Sequence, residues 1–373
     1  MGLVLVKKEK ASRATVIGVS LLSILFASLV IAVVFLAYGI DPLRAAAGLL
    51  KEIFGSLYGP SEIAWQSIPL ILCGGGLLLA FSASFWNIGA EGQLLAGAVA
   101  AAWVALFSGI PGFLHIPALF CAAFCAGALW GFIPTLLRAK FSIPEVITTL
   151  MLNYVAGNLV LYLIHGPWKG KKVFGFAYTD TFPKSAWLPV IGTSRIHWPT
   201  LALALALLLC VYVIITRTRL GYEIKVVSRS PDAGRYAKIS HFRTILMVML
   251  ISGGAAGLAG AGEVAGVHHL LRHPDQVSLG YGYTAIVVAW LARGNPFAVV
   301  LTALLMGLIL VAGDVIQISY GFPFSLIKMF TGLILFFLIA GDLLINYRIS
   351  RKNGVLNVRA RARSQETSTR EGD

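Results

Sequence analysis

Charge is scarce in this chain, and most of it has one sign. Only 12% of the 373 residues are Asp, Glu, Lys or Arg, and 30 basic side chains stand against 16 acidic ones. Soluble domains carry about 25% charged residues. With 58% hydrophobic residues and a mean hydropathy of +0.82, a soluble globular class is excluded. Cysteine is equally sparse. Cys73, Cys121, Cys125 and Cys210 all fall in apolar runs without a Cys-x-x-Cys motif, and read as small buried hydrophobes rather than a disulfide framework or metal site. No G-x-x-x-x-G-K-[ST] occurs, so no P-loop binds nucleotide here. There is no His–Glu metal motif, nucleophile elbow or aspartate pair, and "HHLLRH" at 268–273 lacks the carboxylate spacing of a metal site. The chain is therefore not expected to be an enzyme, to hold a metal or to bind a cofactor.

Long apolar runs are abundant. Ten are long enough to be read as spans of a ~30 Å hydrocarbon core, near 14–38, 64–84, 90–109, 114–137, 146–165, 199–216, 244–266, 281–293, 297–316 and 325–346. The expected fold class is an all-α polytopic membrane protein. With both termini in the cytoplasm, the inner segments hold 21 of the 30 Lys and Arg, including seven in the 217–243 loop and seven in the tail. Insertion rules and anionic lipid headgroups account for the net charge of +14 without a nucleic-acid partner. The first run, of about 25 residues, is too long for a signal-peptide core of 7–15 and should remain as a span. Residues 1–346 form the transmembrane domain, and the polar tail 347–373 reads as disordered.

The third and eighth runs are short and rich in Gly and Ala. Each is the second member of a four-span group, spans 2–5 and 7–10. Interrupted segments at matching places in two halves point to an inverted repeat around a central pathway. Outside, "DPLRAAAGLLKEIFGSL" is an amphipathic stretch with Asp41 as N-cap and Pro42 at the first helical position. The aromatic, Lys-containing segment 166–198 suits an interfacial cap.

Several polar groups lie where they are costly. Asn87, Glu91 and Gln93 sit between spans two and three beside Gly89 and Gly92, which free the backbone. They can cap broken helix ends or line a solute path. Glu145 follows Pro144 in the first turn of span five, where a carboxylate meets the favourable end of the helix dipole; packing or gating are its two readings. Deeper in that span, Thr149 and Asn153 share a face, either holding helices together or facing a cavity. In span seven, Gly253, Gly257 and Ala261 make a ridge for close packing, as do Gly262 and Gly266. Glu263, one turn from the outer surface, can pair with His268, His269 or Arg272, or contact solute.

The loop "TRTRLGYEIKVVSRSPDAGRYAKISHFRT" carries the sharpest local pattern. Ser230 is a good N-cap, Pro231 suits the first turn and Asp232 its dipole, with Ala233 following; Arg235, Tyr236, Ala237 and Lys238 complete a helix over 231–239. About two turns do not persist alone in water, so something must dock them.

"FWNIGAEGQ", "EVITTLMLNYVA", "HGPW", "TRLGYEIKVVSRSPDAGRYAKIS", "GLAGAGEVAGVHH" and "GYGYTAIVVAWLARGNP" resemble permease subunits of bacterial ABC importers. The branch is that of nucleosides, with related simple-sugar and branched-chain amino-acid permeases. The similarity runs from about residue 60 to 345, with Trp86 in place of a more usual Phe and Ser230 where an acidic or polar residue often precedes Asn-Pro. The resemblance implies a multi-pass subunit of the bacterial (inner) membrane that moves solute by alternating access. It implies a second permease as heterodimer partner, a cytoplasmic ABC ATPase that holds ATP and Mg, and an extracytoplasmic solute-binding lipoprotein. It makes the 231–239 helix the coupling helix, with Ser230, Pro231, Asp232, Ala233, Arg235, Tyr236 and Ala237 as its residues toward the ATPase, and Asn87, Glu91, Gln93, Thr149 and Asn153 the expected substrate pathway. An ion-coupled secondary transporter is the alternative of another class; it would use Glu91 and Glu263 but leave the short loop helix without a role.

Overall fold

The computed structural model describes residues 3–7, 13–171 and 175–351. Their regular elements are helices apart from one short strand pair, β1 (Leu3–Lys7) antiparallel to β2 (Tyr347–Arg351). Residues 347–351, at the start of the tail read as disordered, are thus paired; the rest of that tail lies outside the described residues. The helices are α1 (Arg13–Ala37), α2 (Pro42–Phe54), α3 (Tyr58–Ser82), α4 (Ala90–Phe107), α5 (His115–Phe141), α6 (Glu145–His165) and α7 (Trp198–Arg217). After them come α8 (Arg219–Arg229), α9 (Pro231–Tyr236), α10 (His241–Glu263), α11 (Pro274–Ser278), α12 (Tyr281–Leu291), α13 (Pro296–Tyr320) and α14 (Phe324–Asn346).

Every apolar run became a helix, but not every helix is a full span. Among the described residues seven helices are long and apolar enough to cross, or eight if α1 and α2, bent by 111°, count as one. The expected count of ten exceeds this tally, and the shortest helix among the ten runs is the eighth. The 11 residues of α12 reach only about 16 Å at ~1.5 Å per residue, half of the ~30 Å core. A left-handed turn at Leu279 and Gly280 stops α11 and aims α12 anew. Ser84 also has positive φ, in the irregular linker 83–89 that ends α3 before α4 begins.

The chain divides into two compact units, Met1–Leu50 with Gly313–Asp373, and Lys51–Ala312. In the first, α1 packs on α14. Phe35, Phe322 and Phe330 form an aromatic cluster with Ala45, Ile316 and Ile327. The second is built around α3 and α10, both buried for most of their length. Its helices cross at backbone contact, because Gly removes the Cβ that would hold them apart. A Cβ at Gly97 on α4 would overlap the backbone of Gly257 on α10, and one at Gly127 on α5 would overlap the carbonyl of Gly253. The ridge expected over Gly253 and Gly257 is therefore a packing surface. Gly262 and Gly266 instead face His197 and Thr200.

The two four-helix groups exchange partners. In the first, α4 and α5 pack on α10, the leading helix of the second. In the second, α12 packs on α3, and α13 meets α3 through Ser67 Oγ, which donates to Ala303 O at 3.2 Å.

Candidate functional site

The linker 83–89 leaves several backbone groups without a backbone partner, and its own Asn87 and side chains of α6 take them up, while α4 and α10 hold Asn87. Asn87, fully buried, donates from Nδ2 to Gln93 Oε1 at 3.0 Å and to Ser252 Oγ on α10 at 3.2 Å. Its Oδ1 accepts from Gly89 N at 2.9 Å and from Gln93 Nε2 at 3.3 Å. Thr149 Oγ1 on α6 accepts from Ile88 N at 3.3 Å. Asn153, one turn further along α6, accepts from Gly92 N at 2.9 Å and donates to Ile88 O at 2.8 Å and Tyr283 Oη at 3.2 Å. Glu91 reaches the start of α12, where its Oε2 accepts from Gly282 N at 2.9 Å. A carboxylate there satisfies an orphan N–H and meets the positive end of the helix dipole.

The structure thus brings all five expected pathway residues together, along with Ser252, Gly282 and Tyr283. It does not open them to a surface, because all five are buried. In this conformation Asn153 and Glu91 bond N–H groups at the starts of α4 and α12, while Asn87, Gln93 and Thr149 hold the linker between the helices. The three added members had no individual signal in the sequence; Gly282 and Tyr283 stood out only as part of the interrupted eighth run.

Beside this junction, Arg138 at the end of α5 forms an ion pair with Glu145 and lies 5.2 Å from the Phe85 ring centroid. Glu145 Oε1 also lies 3.5 Å from Trp86 N. The carboxylate at the helix start therefore also clamps α5, α6 and the linker. On the exposed side of the junction stand two tyrosines, Tyr154 at 61% and Tyr283 at 40% exposure.

Glu263 lies apart from these groups. It is fully buried, and its two carboxylate oxygens have no hydrogen-bond partner among the described residues, so the expected pairing with His268, His269 or Arg272 does not occur. His269 stacks instead on Trp187, with centroids 4.0 Å apart and planes at 8°. Within segment 166–198, described except at 172–174, Leu188 N donates to Ala265 O at 3.0 Å and Phe182 N to His269 O at 2.8 Å, which ties it to the end of α10. Burial pushes His197, at the start of α7, down to about 4; burial also lowers His269. Burial thus favours the uncharged form of both imidazoles. Of the cysteines only Cys73 is buried, while Cys121, Cys125 and Cys210 lie on outward-facing helix surfaces.

The loop pattern folds as a separate capped rod. Thr218 caps α8 by accepting from Gly221 N at 3.3 Å, and Ser230 caps α9 by accepting from Ala233 N at 3.3 Å. Lys238 turns left-handed, and Ile239 N closes onto Gly234 O at 2.9 Å, so α9 ends at Tyr236 rather than 239. Asp232 and Arg235 lie 3.6 Å apart on its surface, and Tyr236 is 92% exposed. Glu223 on α8 joins Arg219 at 2.9 Å and accepts from Thr244 Oγ1 on α10 at 3.3 Å. Through α10 the rod connects to Ser252, and so to Asn87.

The family described as branched-chain amino acid transport system / permease component matches residues 59–339. The chain belongs to that permease family. Among curated relatives, the glucose ABC transporter permease TsgB13 of Haloferax volcanii is 36% identical over 342 residues, 89% of each chain. The guanosine permease NupP of Bacillus subtilis is 34% identical, covering 82% of this chain and 88% of its own. The nucleoside permease NupB of Lactococcus lactis is 33% identical, covering 86% and 90%. This permease is accordingly a multi-pass ABC importer subunit, and its family works with ATPase and substrate-binding components.

Proposed function

We propose that this permease carries a nucleoside, entering from an extracytoplasmic receptor lipoprotein, through a passage formed with a second, non-identical permease. The supporting likeness is to NupP and NupB, each matched over more than four-fifths of both chains; TsgB13 keeps a sugar as the second reading. A nucleoside has an aromatic base and a hydrogen-bonding sugar. The exposed rings of Tyr154 and Tyr283 offer it stacking surfaces beside the junction. The five buried residues then belong to the pathway as the structure that holds its wall, and become accessible only when the junction opens.

The observation that carries the mechanism is α9. A rod of six residues with Tyr236 92% exposed is too short to persist alone, and groove docking supplies its missing order. In the proposed cycle a separate ATPase grips α9 and moves α8 and α10 with it, disturbing the Ser252–Asn87 contact. This chain supplies the gate, and ATP with Mg is held by the partner.

Solute choice is tested by uptake of labelled guanosine into proteoliposomes that hold the full complex, with unlabelled nucleosides, glucose and leucine as competitors. Nucleosides are expected to suppress uptake and the others not to. No uptake of guanosine, with uptake of labelled glucose by the same proteoliposomes, would move the assignment to sugars.

A further inference from the structure

The amphipathic helix α2 belongs neither to the polar junction nor to the capped rod. At about 100° per residue, its surface divides into three sectors. One is polar, with Arg44, Lys51 and Glu52. The next holds Ala45, Leu49 and Ile53; Ala45 is buried in the aromatic cluster, with Leu49 packed against it. The third is apolar yet open: Leu43 is 82% exposed, Leu50 61% and Phe54 56%. It lies beside the polar sector, about 100° around the helix from Arg44 and Lys51, which run along the shared edge.

We propose that this third sector is a phospholipid-binding surface, and that α2 lies flat in the membrane interface, on the face that the charge bias places outside. Three further observations favour lipid. The turn into α2 is fixed: Gly39 is left-handed, and Asp41 Oδ1 accepts from Leu43 N at 2.9 Å and Arg44 N at 3.4 Å. The bend from α1 is 111°, which tips a thirteen-residue helix about 20° below the plane if α1 follows the membrane normal. That is a descent of about 7 Å at ~1.5 Å per residue, within the ~5–10 Å depth of interfacial helices. Lastly, the basic edge is placed where long cationic side chains reach lipid phosphates while their stems cover apolar surface. The helix is thereby an anchor of the interface rather than half of a span.

The test uses the assembled transporter in nanodiscs of phosphatidylethanolamine and phosphatidylglycerol, with Cys121, Cys125 and Cys210 replaced by Ser. Single nitroxide-labelled cysteines are introduced in turn at Leu43, Leu50, Phe54 and Lys51. Labels at 43, 50 and 54 are expected to collide more with oxygen than with a water-soluble nickel chelate, and the label at 51 to show the reverse. Nickel-dominated collisions at 43, 50 and 54 would overturn the proposal in favour of an aqueous face. Low accessibility to both probes would overturn it in favour of a protein partner. Should the labelled variants fail to assemble, photoactivatable phosphatidylglycerol is applied to the unaltered chain. Adducts within residues 42–58 are then expected, and their absence beside labelled α1 counts against lipid.

Discussion

Replacing Asn153 with Leu should cost this permease both stability and transport. The side chain accepts from Gly92 N and donates to Ile88 O and Tyr283 Oη. Leu matches the volume but makes none of these bonds. A buried polar group left without a partner costs about 1–3 kcal/mol, and two backbone groups lose theirs. Bundles in lipid soften such penalties, with side-chain contacts averaging ~0.6 kcal/mol, so a loss of about 2–4 kcal/mol is the reasonable range. Asn158, on the same helix, gives the control: it donates to Tyr154 O from an exposed position. Thermal unfolding of the purified complex should fall clearly for Asn153→Leu and little for Asn158→Leu, with uptake lost only in the first. Equal behaviour of the two would remove the junction from the mechanism.

The second large effect lies at the opposite end of the proposed lever. Arg235→Asp with Tyr236→Ala should leave insertion and unfolding temperature unchanged, since both side chains are exposed. Docking should weaken by about 2 kcal/mol or more, the scale of an interface hot spot and about thirtyfold in affinity. Solute-stimulated ATP hydrolysis should then disappear while basal hydrolysis persists. Stimulation at the original level would show that α9 is not the point of grip.

Much of this is legible in the sequence, for reasons that differ by element. The α9 cap is readable because Ser230, Pro231 and Asp232 are consecutive, and such local chemistry survives any tertiary context. Its end at Tyr236 is not, because the left-handed stop falls on Lys238, where no Gly or Asn announces it. The glycine ridge on α10 reads as packing, but which helices it touches depends on chain topology. The five polar residues stand out together because each is costly in an apolar setting. Whether they line or cap is undecided by sequence, since Asn153 meets Gly92 and Tyr283 across 61 and 130 residues of chain. The eighth run reads as a span because hydropathy does not register the break at Leu279 and Gly280.

ATP dependence with ion gradients collapsed bears most directly on the central claim that this permease is a gate moved from outside itself. Proteoliposomes containing the complex, supplied with receptor, labelled nucleoside and ionophores, should accumulate solute only when ATP reaches the ATPase side. Accumulation by this chain without the ATPase, driven by a proton or sodium gradient, would contradict it.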